Sequence, residues 1–488
     1  MPFDNSVPET LFDLIRQHAA AKPDAIALSD AGESCSYEEI CSRVEAFSNW
    51  LADASVHCLG IELDNGIDWV VADLAAMAAG IAVVPVPGFF SAGQREHVFE
   101  AAQVDCLVSA EGDAVAGLLH AKVTLLAGKA NLGASKITFT SGSSGTPRAV
   151  VLEHSANLEV ARSIVHALEL VDVQKHVCIL PLATLLENTA GVYAPLIKGI
   201  SVHLAASTES GLSGSSSLDL EAFANCLQER RPESLILVPQ LLVALSALVE
   251  LEMVNVDSLK LIAVGGGRVS EGLLRKAKSL GLPVYEGYGL SEAGSVVTLN
   301  LPGFEKPGTV GKALTHADIR TSDEGELEVR GVSMVGYLGE PVLEVEWLRT
   351  GDIGEIDDEG FVTIRGRISN RFITSFGRNV NPEWVESELT QQPLIAQALF
   401  FGEAQATNLA LIWTRFDSGI PEISAIVDEI NEALPDYARI HDFLLMEEAI
   451  DPAYITANGR LKRAAVIEHY GATINEHFDN TGHQHAVL

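Results

Sequence analysis

Short apolar runs alternate with amphipathic helices along this chain, and that rhythm limits the fold more than any other feature. CLGIEL at 58–63 and IAVVPV at 81–86 flank a helix at 67–79. A buried strand, a helix and a second buried strand in close succession predict a parallel pair joined by a crossover. The rhythm starts earlier. Leu11, Phe12, Leu14 and Ile15 make one helix face, AIAL at 25–28 is a strand, and SYEEICSRVEAFSNWLADA is a helix with Ser36 as its N-cap. It returns as strands at 177–181, 200–204, 234–239, 260–264 and 283–285. After about residue 305 the texture changes. GELEVRG, WLRTGDIGEID and GFVTIRGR are short runs separated by turns, the pattern of antiparallel sheet. From residue 381 a smaller block of helices and strands follows, and GLSGSSS at 211–217 reads as a flexible surface loop. The expected fold is α/β. A large N-terminal domain over 1–367 holds parallel-sheet subdomains plus a small antiparallel sheet region, and a small α+β C-terminal domain covers 368–488. A chain of 488 residues is long enough for more than one folding unit.

Composition removes several classes of function. A formal net charge of −34 repels DNA and anionic lipid headgroups, so nucleic acid is not an expected partner. It does not exclude ATP, because a phosphate site is local and can be built from backbone N–H groups and metal. Six cysteines stand at 35, 41, 58, 106, 178 and 226 without a CxxC pair, so reduced thiols in a cytoplasmic protein are expected rather than zinc or a disulfide framework. The opening MPFDNSVPETLFDLIRQ lacks the basic and apolar regions of a signal peptide. The apolar stretch from Trp69 to Val86 contains Asp73, Gly80 and Pro85, and reads as a buried helix followed by a strand rather than a membrane span. His483 and His485 in the tail are read as solvated.

Three clusters carry chemistry. Directly after the strand-like KITF stands Thr140, then Ser141, Gly142, Ser143, Ser144, Gly145, Thr146, Pro147 and Arg148. Glycines and hydroxyls let backbone N–H groups approach phosphate oxygens, and Arg148 adds charge. The spacing is not that of the common ATPase P-loop, since Pro147 stands where GxxxxGK[ST] needs glycine. The second cluster is Gly265, Gly266 and Gly267 in VGGGRVS, followed by YEGYGLSEAG with Tyr288, Gly289, Ser291 and Glu292. Glycines after a strand let a flat ligand lie on backbone, Tyr288 can stack on a purine, and Glu292 can hold Mg²⁺ against phosphate oxygens. The third is RTGD ending in Asp352, with Arg367 after it. A carboxylate beyond a tight turn suits the two donors of a ribose diol, and Arg367 can add bonds to hydroxyl or phosphate oxygens.

In this order the clusters resemble the adenylate-forming superfamily of acyl- and aryl-CoA synthetases, peptide-synthetase adenylation domains and luciferases. TSGSSGTPR resembles its phosphate loop TSGSSGTPKG, with Arg148 for Lys and Ala149 for Gly. YGLSEAG resembles YGxTE, with Ser291 for Thr; RTGDIGEIDDEGFVTIRGR resembles the ribose-binding segment, and FGRNVNPEWVESEL the opening of the mobile C-terminal domain. LPLATLLENTAGVYAPL at 180–196 is similar to the LPLxHxxER segment of long-chain acyl-CoA synthetases, with Thr184 for His and Asn188 for Arg. The Asp that holds an amino-acid substrate's ammonium is absent from 180–196. A fatty or other apolar acid is therefore the expected substrate.

The resemblance implies attack of the carboxylate on the α-phosphorus of ATP, release of pyrophosphate, and displacement of AMP by a thiol. That thiol belongs to CoA or, alternatively, to the phosphopantetheine of an acyl carrier protein. It places residues 141–148 on the phosphates, Thr140 and Glu292 at Mg²⁺, Gly265–Gly267 and Tyr288 at adenine, and Asp352 and Arg367 at ribose. The small domain pivots at Ser369, where the family usually has Asp or Lys. The late TxxGK motif reads TANGRLKR, so Arg460 stands in the lysine position and Lys462 is the alternative cation. Because Arg148, Thr184, Ser369 and Arg460 replace the usual residues, a weakened nucleotide-binding or scaffolding homologue is the reading from another class.

Overall fold

A computed structural model describes residues 10–110, 112–128, 133, 135–140, 148–213, 217–416, 418–446, 448–455, 461–479 and 486–487. The first parallel sheet forms where the alternation predicts it. Strand Cys58–Glu62 pairs in parallel with Ala82–Pro85 on one side and Cys106–Ala110 on the other. Helix Ile67–Ala79 makes the first crossover, and Trp69 and Asp73 on it are buried. Ser135–Thr140 continues this sheet, and Arg148–Glu153 folds back on it as an antiparallel hairpin. The second sheet runs in parallel through Ile26–Ser29, Ser201–Leu204, Lys175–Cys178, Ser234–Leu237, Leu261–Val264 and Val284–Tyr288. Ser36 caps the helix Tyr37–Asp53 as expected, in a reciprocal box: it accepts from the Glu39 N–H, and Glu39 accepts from its own N–H.

Several boundaries differ from the sequence expectation. The strand expected over 177–181 ends at Cys178. The one expected over 234–239 ends at Leu237, because Pro239 occupies the first turn of the helix Pro239–Glu250. At 211–217 the flanks are not simply loop: Leu212–Ser213 pairs with Ser217–Leu218.

Beyond residue 305, Ala317–Thr321, Glu326–Gly331, Leu348–Ile356 and Val362–Arg367 form a four-stranded antiparallel sheet. From Phe372 onward the chain has its own core, with Phe400, Ile412 and Phe443 packed under helix Ile420–Ala433. This part is α+β: Ile395–Phe401 pairs antiparallel with Leu409–Thr414, which pairs in parallel with Asp442–Met446. The chain is thus an α/β protein with two largely parallel sheets, a small antiparallel sheet and a compact C-terminal unit. Among the described residues no helix is long and apolar enough to cross a membrane. The six cysteines are buried and unpaired.

One polar cluster ties the two parallel sheets together. Lys136 is fully buried; its ammonium donates to Asp73 at 2.7 Å, to Tyr193 Oη at 2.6 Å and to Asn188. Asn188 and Tyr193 also donate to the second Asp73 oxygen. Every member of this network has a partner, as a buried charge requires. Asn188, which stands where the resemblance expects arginine, is a core residue here.

Candidate active site

The site forms beyond the carboxyl ends of the second parallel sheet, where ligands collect in open α/β folds. Strand Leu261–Val264 runs into Gly265, whose N–H donates to the Leu237 carbonyl at 3.1 Å. A Cβ on Gly265 would stand 3.3 Å from the Gly287 carbonyl, and Gly266 has φ +72°, so both positions suit glycine. Gly289 is more restricted still: a Cβ there would fall 1.5 Å from Ser295 O. Together these glycines leave a bare backbone ledge beside Tyr288, the last residue of its strand.

Asp352 comes to this ledge from the antiparallel sheet. Gly351 turns with φ +74°, and its N–H donates to Glu326 at 2.8 Å. The Thr350 hydroxyl accepts from the Asp352 N–H at 3.1 Å. The Asp352 carboxylate is buried, with Oδ1 3.0 Å from Arg367 Nε and Oδ2 2.7 Å from the Tyr288 hydroxyl. Arg367 is oriented by a second bond, from Nη1 to the Thr350 carbonyl at 2.8 Å. Burial and the adjacent carboxylate push the Tyr288 phenol well above its ordinary range. The residues expected at adenine and at ribose are therefore one hydrogen-bonded unit.

Thr140 and Arg148 face each other across a hairpin whose tip, Ser141, Gly142, Ser143, Ser144, Gly145 and Thr146, lies outside the described residues. Arg148, expected at the phosphates, is engaged by two side chains. Its guanidinium lies 3.6 Å from the centre of the Tyr337 ring, and Nη2 donates to Glu340 at 2.8 Å. Tyr337 in turn donates to Glu292 Oε1 at 2.9 Å, so it bridges Arg148 to Glu292. Burial, then Glu292, pushes the Tyr337 phenol up to about 12. Ser291 and Glu292 occupy a single 3-10 turn, Ser291–Ala293.

Sequence reasoning missed Tyr337, Arg268 and Glu286. Tyr337 sits in no recognisable motif. Arg268 follows the glycine run; its Nη1 donates to the Ile364 carbonyl at 3.3 Å and its guanidinium faces Trp384. Its carbonyl accepts from Gln391 at 3.1 Å, and the Gln391 carbonyl accepts from the Ser270 N–H at 2.7 Å. This loop is thereby fastened to the C-terminal unit. Burial raises the Glu286 carboxyl to about 8, despite the charge of Arg268.

Ser369 is exposed in the short turn Ile368–Asn370. Glu383 clamps both sides of that turn, accepting from the Arg367 N–H at 3.0 Å and from Asn370 at 2.6 Å. Arg460 lies outside the described residues. Lys462 is held inside the C-terminal unit, its ammonium donating to the Ala453 carbonyl at 3.0 Å. Arg463 starts the helix Arg463–Asp479 and bonds to Glu386 and the Phe400 carbonyl.

A cavity opens beside Gly265, Gly287, Tyr288 and Gly289. It runs back along the sheet toward Leu168, Val173, Ile200 and Leu261, under the helix His154–Ala167 and the π-helical turn Glu187–Tyr193. Its walls are overwhelmingly aliphatic. Of the residues expected at adenine, Gly265 and Tyr288 line this cavity, and Gly289 lines it beside them.

The model of the AMP-binding enzyme family matches residues 15–133 and 133–339, and that of the AMP-binding enzyme C-terminal domain matches 369–482. The long-chain-fatty-acid–CoA ligase FadD15 of Mycobacterium bovis is 33% identical over 242 residues, 43% of this chain. The match spans only 40% of that relative's own length. A 2-succinylbenzoate–CoA ligase of Bacillus pumilus is 24% identical over 415 residues, covering 78% of this chain and 82% of that protein. The crystal structure of the anthranilate CoA ligase AuaEII in complex with anthranoyl-AMP superposes with a TM-score of 0.81 at 17% identity, covering 96% of this chain and 99% of that one. At that identity the likeness shows the fold.

Proposed function

The chain belongs to the AMP-binding enzyme family, and we propose from that premise that it activates an apolar carboxylic acid, a fatty acid, as an acyl-adenylate and passes the acyl group to CoA. The observation that carries the substrate class is the aliphatic cavity opening at Gly265 and Gly287–Gly289. A hydrocarbon tail placed there leaves water, while its carboxylate emerges at the ledge beside Tyr288 and Asp352. The fatty-acid ligase relative points the same way, whereas the succinylbenzoate and anthranilate ligases act on aryl acids.

In this reading the adenine of ATP lies along Gly265–Gly267 and Tyr288, and the ribose diol donates to Asp352, with Arg367 alongside. The phosphates reach the hairpin of Thr140 and Arg148. Glu292 and the Thr140 hydroxyl are hard oxygen donors, the ligand type that Mg²⁺ accepts. Mg²⁺ held there would offset the charge of the phosphates. The acid's carboxylate attacks the α-phosphorus and pyrophosphate leaves; the CoA thiol then attacks the acyl carbon and AMP leaves. Positioning and charge stabilisation are the protein's work in both steps. The unit 368–488 turns about Ser369 between them, which requires Glu383 to release the Arg367 N–H, while Asn370 and Glu383 move together.

A pyrophosphate-release screen with ATP and Mg²⁺ across fatty, aryl and amino acids tests this reading. Medium- or long-chain fatty acids are expected to turn over fastest. An aryl or amino acid that outpaces every fatty acid would overturn the substrate class, and a carrier-protein thiol that outpaces CoA would overturn the acceptor.

A further inference from the structure

Besides Lys198, Tyr288 and Ser295, the aliphatic cavity has a polar corner at Ser234 and His176 that a plain hydrocarbon tail does not need. Strands Lys175–Cys178 and Ser234–Leu237 present alternate residues to opposite faces. Val177 and Leu237 join the core, His176 and Ser234 line the cavity, and Leu235 and Ile236 belong to both. Ser234 and His176 are register partners, and the Ser234 hydroxyl lies 2.8 Å from His176 Nδ1. Both residues are buried, at 5% and 3% exposure. His176 is backed by Glu187, whose Oε1 lies 3.5 Å from Nε2. Gly191 leaves room for this arrangement, since a Cβ there would stand 3.0 Å from Nε2 and 2.9 Å from the Glu187 oxygen.

A hydroxyl has one donor and two acceptor sites, and the imidazole uses one of them. Ser234 keeps capacity for a second bond on the face that lines the cavity, where Ile236, Leu261, Ile200 and Val173 supply no polar partner. Packing a hydrocarbon against that hydroxyl would leave its remaining capacity unmet, at a cost in free energy. The position along the cavity is also defined. Ser234 is in register with Leu261, and Gly265 at the ledge is four residues further along, about 13 Å at the rise of a parallel strand.

We propose that the acid carries an oxygen substituent, a hydroxyl or oxo group, along its chain at the depth of Ser234 in the cavity, and that Ser234, held by His176, selects for it. This rests on the reading of the cavity as the acyl site.

The test compares octadecanoic acid with hydroxy- and oxo-octadecanoic acids substituted at successive positions, by kcat/KM in pyrophosphate release and, independently of turnover, by calorimetric binding to the full chain. The expected result is a preference of at least about tenfold for a mid-chain oxygenated acid, since a site built to bond an oxygen discriminates against the analogue that lacks it. Ser234→Ala should bring that ratio close to one, and Ser234→Thr, which keeps the hydroxyl, should retain it. Equal or better use and binding of the unsubstituted acid would overturn the proposal, as would a preference that survives Ser234→Ala. So would one equivalent of zinc in the purified protein that is lost in Cys178→Ser, because His176, Cys178 and Glu187 bring ligand atoms within 4.8 Å of one another and a metal would claim the imidazole. Failure of every acid to yield pyrophosphate would instead count against acid activation, and the binding ratio would still decide the polar corner.

Discussion

The Tyr288 hydroxyl donates to Asp352 Oδ2 at 2.7 Å, joining the end of a parallel strand to the middle of an antiparallel one. Arg367 holds the other oxygen at 3.0 Å. A carboxylate held on both oxygens is fixed in one orientation, which in the proposed reading faces a ribose diol. Asp352→Ala is expected to remove about 2–3 kcal/mol of transition-state stabilisation from adenylation. Tyr288→Phe removes one orienting bond and should cost about 1 kcal/mol. Nucleotide affinity and kcat/KM for ATP check both; values near wild type for Asp352→Ala would remove the ribose assignment.

Arg148 is held by an exposed partner, Glu340, at 2.8 Å. Exposed ion pairs contribute about 0–1 kcal/mol, so releasing the guanidinium toward phosphate is inexpensive. Glu340→Gln should lower KM for ATP by less than about fivefold and leave the melting temperature unchanged. A rise in KM would mean that Glu340 supports the phosphate site rather than competing with it.

The late cation is decided by two matched variants. Arg460→Ala should slow acyl-adenylate formation by orders of magnitude while leaving transfer from a synthetic acyl-adenylate to CoA largely intact. Lys462→Ala should spare both steps, since the Lys462 ammonium is engaged by the Ala453 carbonyl. The opposite pattern would shift the register of the motif by two residues.

Lys136 has no access to solvent and neutralises Asp73. Lys136→Met leaves that carboxylate buried with only Asn188 and Tyr193 as donors. A loss of about 3–5 kcal/mol in urea-denaturation stability is expected, the usual cost of stranding one member of a buried pair. A change below 1 kcal/mol would show that the buried pair contributes little to the folded state.

Acid should destabilise the fold through two buried histidines. Burial lowers the His154 and His316 rings from 6.5 to about 4. Below pH 6.5 the unfolded chain takes up protons that the folded chain refuses until about pH 4. Stability is therefore fully present above pH 6.5 and falls through that window. Melting temperatures of wild type and His154→Gln measured from pH 7 to pH 4 should show a shallower decline in the variant; parallel curves would place the ring's titration elsewhere.

Much of the architecture was legible because it depends on local chemistry. The capping box at Ser36 and the apolar runs at 58–63 and 81–86 each carry their own signal within a few residues. Strand ends were less legible: Pro239 punctuates the chain, but its place in a first helical turn is compatible with either boundary. At the site, Asp352, Arg367, Tyr288, Glu292 and the glycines were found through ordered motifs, whereas Tyr337, Arg268 and Ser234 were not. Tyr337 and Ser234 have no motif of their own, Arg268 stands in VGGGRVS without a role of its own there, and all three become relevant only through partners 189, 96 and 58 residues away: Arg148, Ile364 and His176.

The sequence by itself determined the alternation that makes parallel sheets, the change to antiparallel pairing, and the residue types able to meet phosphate, purine and diol, because periodicity and side-chain chemistry act over short spans. Tertiary structure alone decided which of those groups touch. Tyr288 spends its hydroxyl on Asp352, Arg148 stacks on Tyr337, and Ser234 meets His176 at the side of an aliphatic cavity. Each of these contacts joins strands far apart in the chain, so its existence depends on sheet order and register, which no local pattern encodes.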